Sequence, residues 1–337
     1  MKALVLRKPG EAAIESVAEP QANNGDVLLK VRMVGLCGSD LNSFRGGNPL
    51  VTFPRILGHE VSATIVESSQ HLPGIAAGAN VTLSPYTSCG HCSSCLRGRP
   101  NACRFNETLG VQRDGAATEY IRVPAGKIYS ANLTLRELCL VEPLTVGFHA
   151  VARGRVTAED TVAVMGCGGV GLGAIAACSF RGATTIAIDL DDAKLALAAK
   201  AGAAHTINTN RQTLHRRLAE ITGGHGPDVV IEAVGISQTF RAAVEEVAFT
   251  GRVVYIGYAK ELVPYETRLF VQKELDILGS RNALPEDFQT VIRMLEEHRF
   301  PVDDAVSATV PLEEGPDILK TWSQNPTQIS KIMLHLD

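Results

Sequence analysis

From Asp160 onward the sequence alternates between short apolar runs of strand length and longer runs of helical character. This alternation narrows the possible folds more than any other feature. TVAVMG leads into CGGVGLGAIAACSFRG, a glycine turn opening into a small-residue helix. TTIAID, DDAKLALAAKAGA, AHTI, PDVVIEAVG, SQTFRAAVEEVAF and GRVVYIGY continue the pattern, and LDILGS supplies a last strand. Strands joined through helices run parallel, and a parallel sheet is covered on both faces, so its strands are apolar throughout. The expectation is an α/β unit with a doubly wound parallel sheet.

The first turn of that unit carries G-x-G-x-x-G at Gly166, Gly168 and Gly171. Alone the pattern is weak. Here it follows an apolar strand, opens a helix and precedes a second strand ending in Asp189, which is the context a dinucleotide site requires. Gly166 permits the tight turn, Gly168 lets backbone N–H groups approach a pyrophosphate, and Gly171 lets helix and strand pack closely. Asp189 can accept both hydroxyls of the adenosine ribose. The residues after it are Leu190, Asp191 and Asp192, with no Arg for a 2′-phosphate, so NAD is expected over NADP. Gly169, Val170 and Lys194 complete the expected cofactor-binding set. The competing reading, a glycine turn that binds something else, leaves strand, turn, helix and acid in register without a reason.

The loop CGHCSSCLRGRPNAC places Cys89, Cys92, Cys95 and Cys103 in a C-x2-C-x2-C-x7-C spacing. Four thiolates suit a closed tetrahedral zinc site, and metal binding can order a loop too poor in apolar side chains to order itself. His91 is then surplus to the tetrahedron. Two disulfides are the alternative, but disulfide scaffolds are usually short secreted domains.

The length of 337 residues suggests two domains, and the formal charge of −4 disfavours nucleic acid or an anionic membrane surface as the main partner. No apolar run is long enough to span a bilayer. MKALVLRKPG runs straight into a strand-like stretch with no cleavable apolar core, so a cytoplasmic protein with reduced thiols is expected. Residues before about 145 are strand-rich, with VLLKVRMVGL, HEVSATIVES and ATEYIRVPAG between Gly, Pro and Asn breakers, and helical signal there is scarce. PEDFQTVIRMLEEHR and PLEEGPDILKTW read as helices, and QISKIMLHLD as a final strand.

Within the strand-rich part lie Cys37 in GLCGSD, His59 and Glu60 in ILGHEVSATIVE, and Glu142 in LVEPLTVGFHA. A lone Cys is usually a buried hydrophobe and a lone His a hydrogen-bonded residue. Together they supply a thiolate, an imidazole and a carboxylate, a set suited to a zinc with a position left open for substrate.

These motifs, in this order and over essentially the whole chain, resemble the zinc-dependent medium-chain dehydrogenase/reductase family. The resemblance is closest to its polyol, threonine and sugar-acid dehydrogenases, because Glu142 stands where simple alcohol dehydrogenases usually carry a cysteine. It implies a GroES-like β-rich catalytic domain at 1–148 and 286–337 and a Rossmann NAD-binding domain at 149–285. The C-terminal segment would rejoin the catalytic domain. It further implies two zincs per chain. One would be held by Cys37, His59 and Glu142, directly or through water, with Glu60 as an alternative ligand. The other would be the structural zinc of the four cysteines. Ser39 would take the substrate proton. Many relatives end a proton relay with a histidine where this sequence has Asn42, which cannot titrate. Arg281 and Asn282, in GSRNA, would pass near nicotinamide and substrate, against the plain reading of a surface Arg. The implied activity is NAD-dependent oxidation of a secondary alcohol in a polyol or sugar acid, by a homodimer or homotetramer. Another small alcohol, an amino alcohol such as threonine, or a sugar phosphate stands as an alternative. A zinc-free reductase of the same fold would leave Cys37, His59 and Glu142 unexplained. A non-catalytic zinc interaction module would leave the dinucleotide site unexplained.

Overall fold

A computed structural model describes residues 1–21, 25–68, 74–326 and 329–336. The chain divides into two units, Met1–Glu142 with Val302–Asp337, and Pro143–Pro301.

The first unit is built on the long strand Asp26–Leu36. Val27, Leu29 and Val31 are buried while the residues between them are only half-buried, the period-two alternation of a strand with one face on a core. It pairs antiparallel with Glu60–Ser68, with Tyr120–Pro124 and with the C-terminal strand Ile332–His335. Among the described residues this sheet has seven strands. Ala308–Pro311 lies beyond Ile332–His335 at one side, and Asn80–Leu83 and Ile128–Ser130 lie beyond Glu60–Ser68 at the other. A three-stranded sheet of Glu11–Ser16, Lys2–Lys8 and Arg55–Ile56 accompanies it. Leu4, Leu29, Leu36, Leu57, Leu83 and Trp322 belong to its core. The register Leu334↔Val34 shows that the end of the chain completes this unit.

The second unit contains a six-stranded parallel sheet ordered His205–Asn208, Thr184–Asp189, Thr161–Met165, Val229–Glu232, Arg252–Tyr255, Asp276–Gly279. Chain order reverses between Thr161–Met165 and Val229–Glu232, and open α/β sheets bind ligands beyond the strand ends at such a switch point. Asp276–Gly279, at the sheet edge, is largely exposed, whereas Val229–Glu232 is wholly buried.

One expectation changes. The scarcity of helix before 145 misses Leu135–Arg153, a 19-residue helix that carries Glu142. Pro143 lies inside it and reads as a breaker in sequence, yet flanking Leu138, Val141, Leu144 and Phe148 are buried and tertiary packing outweighs the lost hydrogen bond. The expected catalytic domain at 1–148 and 286–337 stands beside a first unit of Met1–Glu142 and Val302–Asp337. The helix Pro285–Glu296 stays in the second unit, where it buries Phe288, Val291, Met294 and Leu295 and where Asp287 meets His149 at 2.9 Å. Among the described residues no helix is long and apolar enough to cross a membrane.

Candidate metal centres and cofactor turn

The loop cysteines converge. Ligand atoms of Cys89, Cys92, Cys95 and Cys103 all lie within 4.8 Å of one another, and all eight cysteines of the chain are free thiols. Four sulfurs held tetrahedrally about 2.3 Å from one zinc stand about 3.8 Å apart. Cys92 Sγ lies 3.5 Å from Cys95 Sγ and 3.8 Å from Cys103 Sγ, so the set fits the ion. Backbone N–H groups point at the sulfurs: Cys92 N–H donates to Cys89 Sγ, and Cys89 and Phe105 N–H groups donate to Cys103 Sγ, each at 3.3 Å. Such bonds favour the thiolate. The Cys92 thiol is pulled down to about 5, first by the Ser94 hydroxyl and then by backbone N–H groups of Cys95 and Arg104. His91 turns its Nδ1 to the Cys89 carbonyl instead, at 2.8 Å.

A second group gathers Cys37, His59 and Glu60, whose ligand atoms also lie within 4.8 Å of one another. Cys37 precedes the short helix Gly38–Phe44, and His59 and Glu60 stand at the start of the strand Glu60–Ser68. The pairing Gly35↔Glu60 brings these elements together. His59 is 6% exposed and Glu60 1%. A buried imidazole and carboxylate beside a thiol form a donor set with the chemistry of a zinc site. Burial alone would lower the His59 pKa, but the Asp40 carboxylate and the hydrogen bond to Cys37 overcome it and hold it well above the usual histidine value. Asp40 is itself buried; its Oδ2 accepts from the Cys37 N–H at 2.8 Å, while its Oδ1 and His59 Nδ1 are buried without partners. Ser39 Oγ, two residues after Cys37, is likewise buried and unpartnered.

Glu142 is not in that mutually close group. Its Oε1 accepts a short hydrogen bond from the Tyr86 hydroxyl, and both residues are buried. Burial raises the Glu142 carboxyl, and the His59 charge opposes the rise. Glu60 is held from another side, with Lys331 Nζ 2.6 Å from each of its carboxylate oxygens. Asp40, Tyr86 and Lys331 are the residues that motif reading passes over. Asp40 could have been found from its place in GLCGSD, three residues after Cys37; Tyr86 and Lys331 carry no local signal.

In the second unit Gly166 adopts φ 91° and a Cβ on Gly171 would stand 1.8 Å from the Gly166 carbonyl oxygen, so both positions require glycine. Gly168 precedes the helix Gly169–Phe180, and open space lies beside Gly168 and Gly169; Val170 is in its first turn. Asp189 is tied to this turn: Oδ2 accepts from Cys167 N–H at 2.7 Å, and Oδ1 from Leu190 and Asp191 N–H groups at 2.8 and 3.1 Å. Lys194 lies in the next helix, its N–H bonded to Asp191. Arg281 is half-buried, and Asn282 takes a left-handed φ of 53°.

Residues 23–132 match the alcohol dehydrogenase GroES-like domain, and residues 169–297 match the zinc-binding dehydrogenase domain. An uncharacterized zinc-type alcohol dehydrogenase-like protein of Haemophilus influenzae is 35% identical over 98% of both chains. L-galactonate-5-dehydrogenase of Escherichia coli is 31% identical over 90% of this chain and 89% of that one. Sorbitol dehydrogenase of Bacillus subtilis is 32% identical over 99% of this chain and 97% of that one. Among solved structures, an alcohol dehydrogenase of Escherichia coli CFT073 with bound NADH superposes with TM-score 0.92 at 28% identity, covering 100% of this chain and 99% of that one. A zinc-binding dehydrogenase of Sinorhizobium meliloti bound to NADP gives TM-score 0.91 at 30% identity over 99% of both. The chain belongs to the zinc-binding medium-chain dehydrogenases, in their polyol branch, and is an oxidoreductase of CH–OH groups that uses zinc and a nicotinamide cofactor.

Proposed function

We propose that this enzyme oxidises a secondary alcohol of a polyol or sugar acid with NAD. The observation that carries this reading is the convergence of Cys37, His59 and Glu60 in a buried group, with Ser39 Oγ unpartnered two residues from the thiol. The L-galactonate and sorbitol dehydrogenases among the relatives support the substrate class.

Cys37 and His59 would hold the catalytic zinc, and the Asp40 carboxylate anchors the Cys37 backbone N–H at 2.8 Å and places negative charge near the His59 imidazole. Glu142, restrained by Tyr86, serves the metal through water. When bound, zinc supplies Lewis acidity that lowers the pKa of a substrate hydroxyl, and NAD accepts the hydride. Ser39 takes the substrate proton. With Asn42 in place of a titrating residue, that proton leaves to water or to a cofactor ribose hydroxyl. Gly166, Gly168, Gly169, Val170 and Gly171 cradle the pyrophosphate, Asp189 binds the adenosine ribose and Lys194 stands beside it. Arg281 and Asn282 contact the polar substrate. The Asp189 carboxylate repels a 2′-phosphate, which sets NAD above NADP. The cysteine loop holds a second, structural zinc. We further propose a homodimer or homotetramer working in the cytoplasm.

Metal analysis tests the assignment. The wild type should carry close to two zincs per chain and Cys37→Ser close to one. Two zincs in Cys37→Ser would remove Cys37 from the site.

A further inference from the structure

We propose that Lys331 is a positioning residue that keeps Glu60 from becoming a permanent ligand of the metal held by Cys37 and His59. The inference rests on the metal reading of that group. It starts from one carboxylate facing two seats for positive charge. Glu60 lies within 4.8 Å of the Cys37 and His59 donor atoms, and both its oxygens lie 2.6 Å from Lys331 Nζ.

The sheet register builds this arrangement. Glu60 pairs with Gly35 on one side of the strand Asp26–Leu36, and Ile332 pairs with Leu36 on the other, which delivers the neighbouring Lys331 to the same point. A Cβ on Gly35 would stand 2.1 Å from Glu60 Oε2, so the carboxylate is pressed against bare backbone and its position is defined. The side chains of Lys331 and Glu60 are 9% and 1% exposed, and water cannot stand in for either partner.

A buried carboxylate deprived of its cation is strongly destabilised and must be neutralised, by a proton or by another cation. Here the other is the metal. With Lys331 present, Glu60 is neutralised where it stands and the metal keeps an open position, as a catalytic zinc requires. Without Lys331, Glu60 closes that position.

The test compares zinc loss to a chelator and the visible spectrum of the cobalt-substituted enzyme. In Lys331→Met, zinc should leave the catalytic site on the order of tenfold more slowly, and the cobalt spectrum should shift as an oxygen ligand is added. Lys331→Met/Glu60→Gln should return both readouts to wild type, and Lys331→Arg should leave the zinc-loss rate unchanged. Equal or faster zinc loss in Lys331→Met with an unshifted spectrum would overturn the proposal. Should that variant not fold, Glu60→Gln alone decides. Unchanged zinc loss supports the proposal, whereas markedly faster loss would mean that Glu60 is already a ligand and overturn it. The Cys37→Ser zinc count distinguishes failure of this proposal from failure of the metal reading beneath it.

Discussion

The hydroxyl of Tyr86 donates a hydrogen bond to Glu142 Oε1, with both side chains buried beside the Cys37 and His59 group. Burial, then the Glu142 charge, raises the Tyr86 pKa far above its usual value, so the hydroxyl stays a donor throughout the working range. Tyr86→Phe removes one restraint on the carboxylate and nothing from the dinucleotide turn. We expect kcat/KM to fall on the order of tenfold and Glu142→Ala to lose about 10²-fold, with NAD affinity unchanged in both. Steady-state rates and a fluorescence titration with NAD check this. An undiminished Glu142→Ala enzyme would remove that residue from the chemistry.

The four-cysteine loop should behave as a folding element. Cys95→Ser should lower the melting temperature and soluble yield, because structural zinc contributes folding free energy. A fully stable, fully metallated variant would contradict the closed site.

The same loop carries a pH prediction. The Cys92 thiol is lowered to about 5 in the folded loop, against about 8.5 in an unfolded chain. A folded-state pKa below the unfolded one gives stabilisation that is fully present above the unfolded value and lost as pH falls through the folded value. Zinc needs deprotonated thiols, so zinc release and loop opening should increase as pH falls, even though the neighbouring Cys95 thiol is pushed up to about 11 by burial. Release followed with a zinc-sensitive dye across that range checks it; release complete at neutral pH would contradict it.

Cofactor choice should rest on Asp189. We expect kcat/KM to favour NAD over NADP by at least about tenfold, which is about 1.4 kcal/mol. Asp189→Ser with Leu190→Arg should narrow or reverse the ratio. Asp189 also accepts three backbone N–H groups, including that of Cys167 in the glycine turn, so Asp189→Ser alone should weaken NAD as well. A wild type that prefers NADP would contradict this account of the strand end.

What the sequence discloses follows from how local each feature is. The parallel sheet was legible because most strands between Thr161 and Gly279 are short apolar runs separated by helices, and its order matches the doubly wound expectation. The convergence of the cysteine loop was legible because its four thiols lie within one short stretch. Asp40 has a signal in its place in GLCGSD, three residues after Cys37, but its charge acts on His59 only once the fold brings the two near each other. Lys331 could not be seen at all. It is 271 residues from Glu60, and only the pairing of two strands with Asp26–Leu36 joins them. The helix Leu135–Arg153 was hidden by Pro143, a local breaker overruled by packing.

The most direct test is NADH formation, followed by absorbance, with a panel containing a vicinal polyol, a hexonate and ethanol. A carboxylate at Glu142 in place of a permanent thiolate ligand leaves room for a substrate that offers adjacent oxygens. Turnover of a polyol or hexonate should stand well above that of ethanol, with NAD as acceptor, and should be lost in Cys37→Ser. Ethanol as the best substrate, or full polyol turnover in Cys37→Ser, would contradict it.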